Sequence, residues 1–190
     1  MTPPTLLTGF GPFPGSPVNT SQLVVEAIEA RQHAGVVTAV LPTSYRRSEA
    51  QLGELVEAHR PATVVMLGLD DGAEHLRLEQ VALNLDDSAA PDNDGDVRLR
   101  QRIVDGAPVG YWSSLDLPAL ASTARRLGEE VEFSHDAGGY VCNHVFFVAA
   151  HLGAVGSHQM GCGFVHLPRI SAPDDRLHRV VDVVAAWLTA

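Results

Sequence analysis

Three strand-and-helix units follow one another at the start of the chain, and this alternation constrains the fold more than any other feature. Residues 5–8 form an apolar run that leads into the turn sequence Gly9-Phe10-Gly11-Pro12-Phe13-Pro14-Gly15. Within 21–32, Leu23, Val24, Ala27 and Ile28 recur at the spacing of one helix face, with Thr20 or Ser21 as the expected cap. Residues 36–41 read as a second strand, and 48–59 as a second helix carrying Leu52, Leu55, Val56 and Ala58. Residues 64–69 are nearly all apolar, as expected of a strand covered on both faces. Three such units in a row call for a parallel sheet between helix layers.

Beyond residue 75 the pattern changes. Residues 76–86 mainly alternate polar and apolar side chains and read as a half-buried strand or hairpin arm. Residues 88–104, centred on Pro91-Asp92-Asn93-Asp94-Gly95, are polar and turn-rich, and read as a surface excursion between parts of one sheet. A helix over 118–127 capped by Asp116, a strand over 130–133, an amphipathic helix over 141–152, a strand over 163–167 and a closing helix over 174–188 complete the series. The expected fold class is α/β, a single three-layer α/β/α domain over 1–190 with a mostly parallel central sheet. The 190 residues are 45% hydrophobic, enough for one core that removes roughly two-thirds of the unfolded chain's surface from water. Disordered chains, coiled coils and stapled mini-proteins are excluded on the same ground.

A net charge of −10 repels phosphate backbones, so nucleic acid is not an expected partner. Two cysteines, Cys142 and Cys162, are too few for a disulfide scaffold. The N-terminal residues lack a basic region followed by a long apolar stretch, so no signal peptide is expected. No run approaches the ~18 apolar residues that span a bilayer, so no membrane partner is expected either. The expectation is a soluble, cytoplasmic protein; whether it forms a homo-oligomer, dimer or tetramer, is left open.

Ligands of open α/β sheets bind at the carboxyl ends of strands, which draws attention to the turn after the first strand. Its glycines at 9, 11 and 15 miss the dinucleotide spacing, and Pro12 and Pro14 lack the N–H groups that cradle phosphate. Phe10 and Phe13 between them fit a flat, uncharged ligand, or they pack over the sheet edge. In Gly138-Gly139-Tyr140-Val141-Cys142-Asn143-His144 a glycine turn leads into a helix, with Cys142 in the first turn. Helix N-termini stabilise thiolates, so Cys142 is either a nucleophile or a small buried thiol.

A nucleophilic thiol needs a base, and the base an orienting group. Of nine histidines, His166 stands near the carboxyl end of a strand, whereas His33, His59 and His178 lie on or beside polar helix faces. Glu79 is a carboxylate inside an alternating strand, a place where an imidazole N–H would be a fitting partner. The inventory Cys142, His144, Cys162 and His166 suggests zinc on paper. Residues i and i+2 of a helix point ~200° apart, and Cys162 and His166 on one strand would be ~13 Å apart, too far for bonds of ~2.0–2.3 Å. No metal and no organic cofactor is expected.

Together, Thr8-Gly9-Phe10-Gly11-Pro12-Phe13, Val18-Asn19-Thr20-Ser21, Glu79-Gln80-Val81-Ala82-Leu83-Asn84, Pro91-Asp92-Asn93, Ala137 through His144 and Gly163-Phe164-Val165-His166-Leu167-Pro168 resemble the motifs of type I pyroglutamyl (pyrrolidone-carboxylate) peptidases. They stand in that family's order and span most of the chain. The resemblance implies an α/β/α cysteine peptidase whose Cys142, His166 and Glu79 form a triad that removes N-terminal pyroglutamate (5-oxoproline) from peptides. It also implies that Phe10 and Phe13 hold the lactam, with Asn19 hydrogen-bonding nearby. The chain departs from the pattern at Leu69, where many members have Gln, and at Ala89 and Ala90, where they have Arg; it is also shorter between Asp94 and Val109. A feeble relative that binds a lactam or capped peptide is the alternative; a phosphorylase-type transferase is disfavoured by the poor phosphate loop.

Overall fold

A computed structural model describes residues 2–156, 158–170 and 174–189. In chain order its elements are β1 (Thr5–Phe10), α1 (Thr20–Ala30), β2 (Val36–Leu41), α2 (Tyr45–His59), β3 (Thr63–Leu69), β4 (Leu76–Glu79), β5 (Val81–Leu83), β6 (Asp86–Ser88), β7 (Arg98–Gln101), β8 (Gly110–Trp112), α3 (Leu117–Arg126), β9 (Val131–Ser134), α4 (Val141–Val155), β10 (Gly161–Leu167) and α5 (Asp175–Leu188). Six strands form the central sheet in the order β2-β1-β3-β10-β4-β9. Every neighbouring pair is parallel except β10 and β4.

Strand periodicity divides the apolar residues between two cores. Leu7, Val65, Leu67, Val165 and Leu167 point to the side covered by α1, α3 and α5. Leu6, Val64, Met66, Cys162 and Phe164 point to the side covered by α2 and α4. Both faces are therefore dry, which is why the central strand β3 is apolar at nearly every position. Among the described residues no helix is long and apolar enough to cross a membrane.

Several local expectations need correction. The cap of α1 is Asn19, whose side chain accepts from the Ser21 N–H, while Ser21 turns inward to accept from Phe10 N–H at 2.9 Å. Helix α2 begins at Tyr45 because Ser44 caps it, three residues before the expected start. The run 76–86 is three strands in three sheets: β4 joins the central sheet, β5 pairs with β8, and β6 pairs with β7. Asn84 marks one break, its Oδ1 accepting from Ile103 and Val104 N–H and its Nδ2 donating to Val104 O. Helix α4 is not amphipathic but buried almost continuously from Val141 to Ala150, since α2, the sheet and the two small hairpins surround it.

The polar excursion is also less free than its composition suggests. Asp92 is 3% exposed: one carboxylate oxygen accepts from Tyr45 N–H at 2.9 Å, the other from the N–H groups of Asp94 and Asp96. Asn93 donates to Pro12 O at 2.9 Å, so the excursion is tied to the turn after β1. Asp92→Ala should cost ~1.5–3 kcal/mol, the worth of hydrogen bonds to a charged group whose donors stay buried. Urea unfolding measures this, and an unchanged midpoint would contradict the tether.

Candidate active site

The strand ends carry the chemistry. Gly68 pairs with His166 and Leu69 with Leu167 where β3 and β10 finish together. On the other side of β10, antiparallel β4 sets Glu79 opposite Phe164 and Arg77 opposite His166. Directly opposed residues share a face, so these four side chains project toward the layer that contains α4. The N-terminus of α4 meets them there and brings Cys142.

His166 Nδ1 lies 2.8 Å from Glu79 Oε1. A carboxylate accepts, so Nδ1 donates, and the other ring nitrogen is left for the cleft that Cys142 also lines. Glu79 is fully buried, and among the described residues its Oε2 has no hydrogen-bond partner. Its hydrogen-bonded partner is His166, and the Arg77 guanidinium on the same strand also feels its carboxylate. Burial by itself pulls the imidazole down, but the Cys142 sulfur and then Glu79 outweigh it and push His166 from 6.5 up to about 10. Both neighbours thus favour the protonated ring, which binds the Glu79 carboxylate at 2.8 Å.

Cys142 is half-buried, and a Cβ on Gly68 would stand 3.0 Å from its sulfur and 2.7 Å from the Phe164 ring. A side chain at 68 would therefore disturb both the ring and the sulfur. Cys162 lies in the core, where burial pushes its thiol up to about 12. The N-cap of α4, Tyr140, provides no side-chain cap bond, so among the described residues its side chain leaves the first-turn N–H groups beside Cys142 uncapped, as an anion site requires.

A cleft of about 330 Å³ opens over Cys142 and His166, with Phe13, Leu69, Arg77 and Tyr140 in its wall. Arg77 is anchored by Asp70 at 2.5 Å and Glu132 at 3.0 Å. Beside the cleft, a recess of about 40 Å³ is lined by Phe10, Phe13, Asn19, Leu69, Tyr140 and Cys142. Phe10 is only 2% exposed and belongs mainly to the core, whereas Phe13 lines both hollows. Asn19 Oδ1 is occupied by Ser21, and its Nδ2 donates to Gly11 O at 3.0 Å, which leaves one N–H for a ligand. A larger hollow of about 530 Å³ at Pro3, His59, Arg60 and His158 contains neither cysteine nor carboxylate.

All six residues singled out in the sequence thus gather around one cleft and recess, His166 bonded to Glu79 and lining the cleft with Cys142, and Phe10, Phe13 and Asn19 alongside. Ala89 and Ala90 are exposed and line neither hollow, while Leu69 lines both. His144 turns away from Cys142, toward Asp86 and Glu49, and among the described residues no group of three or more His, Cys, Asp or Glu side chains could hold a metal ion. Sequence reasoning missed Tyr140, whose ring walls the site while its hydroxyl donates to Pro91 O at 3.0 Å. Its position just before the helix was the available signal.

The family model described as pyroglutamyl peptidase matches residues 4–179. The chain is 39% identical over 166 residues to a pyrrolidone-carboxylate peptidase of Gloeobacter violaceus, covering 86% of this chain and 80% of that protein. It is 35% identical over 193 residues to one from Clavibacter michiganensis, covering 99% and 90%. Among solved structures, pyroglutamyl peptidase I of Bacillus amyloliquefaciens superposes with a TM-score of 0.91 at 29% identity, covering 100% of this chain and 94% of that one. The pyrrolidone carboxyl peptidase of Fervidobacterium islandicum gives 0.89 at 31% identity, covering 97% and 95%.

The contrast between the two thiols is directly measurable. Limited iodoacetamide should alkylate Cys142 well before Cys162, as read by peptide mass spectrometry. Equal or reversed labelling would contradict the environments described for them.

Proposed function

Because the chain belongs to the pyroglutamyl peptidase family of cysteine-type hydrolases, we propose that it removes N-terminal pyroglutamate from peptides through a triad of Cys142, His166 and Glu79. The 2.8 Å contact of Glu79 with His166, on a ring that shares its cleft with Cys142, carries this reading. Residues 1–190 act as one pyroglutamyl-peptidase-like domain, since both cores share the central sheet.

The Cys142 sulfur attacks the carbonyl carbon that joins pyroglutamate to the next residue, and the carbonyl electrons move onto oxygen. First-turn N–H groups of α4 stabilise that oxyanion. Its collapse breaks the C–N bond while His166 gives its proton to the departing amine, leaving a thioester. Water then attacks the thioester and passes a proton to His166. Collapse of the second oxyanion releases pyroglutamate and restores the pair. Glu79 holds the ring orientation and stabilises the imidazolium throughout.

Recognition follows from the recess. Its wall carries no charged side chain, which suits a neutral lactam. Phe10 and Phe13 supply aromatic contact, and the remaining Asn19 N–H can meet a lactam carbonyl. Leu69 offers no hydrogen bond where the family resemblance leads one to expect Gln, and Arg77 brings a guanidinium to the cleft wall. Turnover is therefore expected to be measurable but modest, because a missing oxyanion donor typically costs ~10²–10³ in kcat.

The protein should cleave pyroglutamyl amides and leave prolyl and free-amino-terminal glutaminyl amides intact. Replacing Cys142 with Ala should lower kcat at least ~10³-fold while the fold persists. Binding of a pyroglutamyl peptide without any product would replace the peptidase with a lactam-binding relative. The pH profile adds a second check. The pairing of His166 stabilises the fold fully below about 6.5 and ceases to do so as pH rises through about 10, because the folded-state value is raised. The profile of kcat/KM should be bell-shaped, with limbs that belong to the coupled pair. Glu79→Gln should move the alkaline limb downward, since the imidazolium loses its negative partner; an unmoved limb would remove Glu79 from the triad.

A further inference from the structure

Cys142 sits in the first turn of a helix that has no side-chain cap bond, so other contacts must fix where that turn lies. The two residues after the nucleophile make them. Asn143, 1% exposed, spends its whole amide on main chain: Oδ1 accepts from Leu83 N–H at 2.9 Å, and Nδ2 donates to Leu83 O at 2.9 Å and Leu85 O at 2.8 Å. It joins α4 to β5 much as a neighbouring strand would.

His144, also 1% exposed, is wedged between two carboxylates. Its Nδ1 lies 3.0 Å from Asp86 Oδ2 on β6, and its Nε2 lies 3.3 Å from Glu49 Oε2 on α2. Ionised carboxylates only accept, so both ring nitrogens donate and the ring is an imidazolium. Other groups face the same cluster. Tyr45 of α2 packs edge-on to His144 with centroids 5.3 Å apart, and Arg98 of β7 binds Asp86 at 2.9 Å while stacking 4.3 Å over the Tyr45 ring. Asp96 holds the far side of Arg98 at 3.2 Å. Burial works against the charge on His144, but its bonds to Asp86 and Glu49 outweigh this and raise it above the ordinary value. None of these groups takes part in the triad.

We infer that Asn143 and His144 are positioning residues for Cys142, pinning the first turn of the nucleophile helix to residues 83–86 and to α2 through a clamp that requires His144 to be charged. The inference rests on Cys142 being the nucleophile; if it is not, Cys142→Ala stays active, an outcome separate from those below. Deprotonation of His144 breaks one of its two bonds and loosens the turn, so the clamp holds at low and neutral pH and fails as pH rises. Glu49 is half-exposed and can be changed with little risk to the fold.

The test uses the full chain labelled with [¹⁵N]histidine, the His144→Gln spectrum assigning the resonance. At neutral pH His144 should show two protonated ring nitrogens, and in Glu49→Gln that signature should be lost at lower pH. His144→Gln should lower kcat by ~10²-fold, as a misplacement near 1 Å does, with KM within about twofold. Val183→Ala, on α5 across the sheet, serves as the stability control and should keep wild-type kcat per folded molecule. Glu49→Gln should make kcat fall at a lower pH than the alkaline limb of the catalytic pair, at unchanged KM. A singly protonated His144 at neutral pH, or wild-type kcat in folded His144→Gln, would overturn the inference. If His144→Gln does not fold, the Glu49→Gln profile decides, and a profile that superposes on wild type overturns it.

Discussion

A carboxylate that has left water entirely must be matched by a cation, and much of this structure is arranged around that requirement at Glu79. Burying such an ion without a partner costs several kcal/mol. Glu79 has no exposure, and the His166 ring is its hydrogen-bonded partner at 2.8 Å. The pairing fixes the topology locally: β4 must lie next to β10, and its antiparallel register puts Glu79 and His166 on one face. The same bond settles which ring nitrogen faces Cys142. Electrostatic stability of the interior and readiness of the thiol are thus one arrangement.

Packing then decides how close the nucleophile comes. Gly68 lets Cys142 and the Phe164 ring approach β3, since a Cβ there would stand 3.0 Å and 2.7 Å from them. Helix α4 brings Cys142 to that gap and is itself enclosed by α2, the sheet and the hairpins β5–β8 and β6–β7. Those hairpins contribute little sheet area. Their main service is to supply Leu83, Leu85 and Asp86 as partners for Asn143 and His144. Rigid support therefore surrounds the nucleophile, while Phe13 and the turn after β1 form the edge a substrate meets first.

The alternation of strands and helices was legible in the sequence because both faces of the sheet are dry, which leaves apolar runs in β1, β3 and β10. Glu79 was legible for the opposite reason, as a charge where the pattern asks for none. Cys142 was marked by the glycine turn before its helix. What stayed hidden depends on distant partners. The segment 76–86 looks like one strand, yet Asn84 spends its amide on main chain near 104 and breaks it. Asn19 caps α1 in place of Thr20 or Ser21 because Ser21 is drawn inward to the Phe10 N–H. His144 finds Asp86 and Glu49 at separations of 58 and 95 residues, which no local pattern encodes.

The central claim is that Cys142 attacks the pyroglutamyl carbonyl with His166 and Glu79 behind it. Stopping the reaction with acid during turnover and mapping the protein by peptide mass spectrometry tests that most directly. The account predicts one pyroglutamyl group in thioester linkage on the peptide containing Cys142, absent when substrate is withheld and removed by hydroxylamine. An adduct on Cys162 or on any other side chain, formed at a rate that matches turnover, would contradict it.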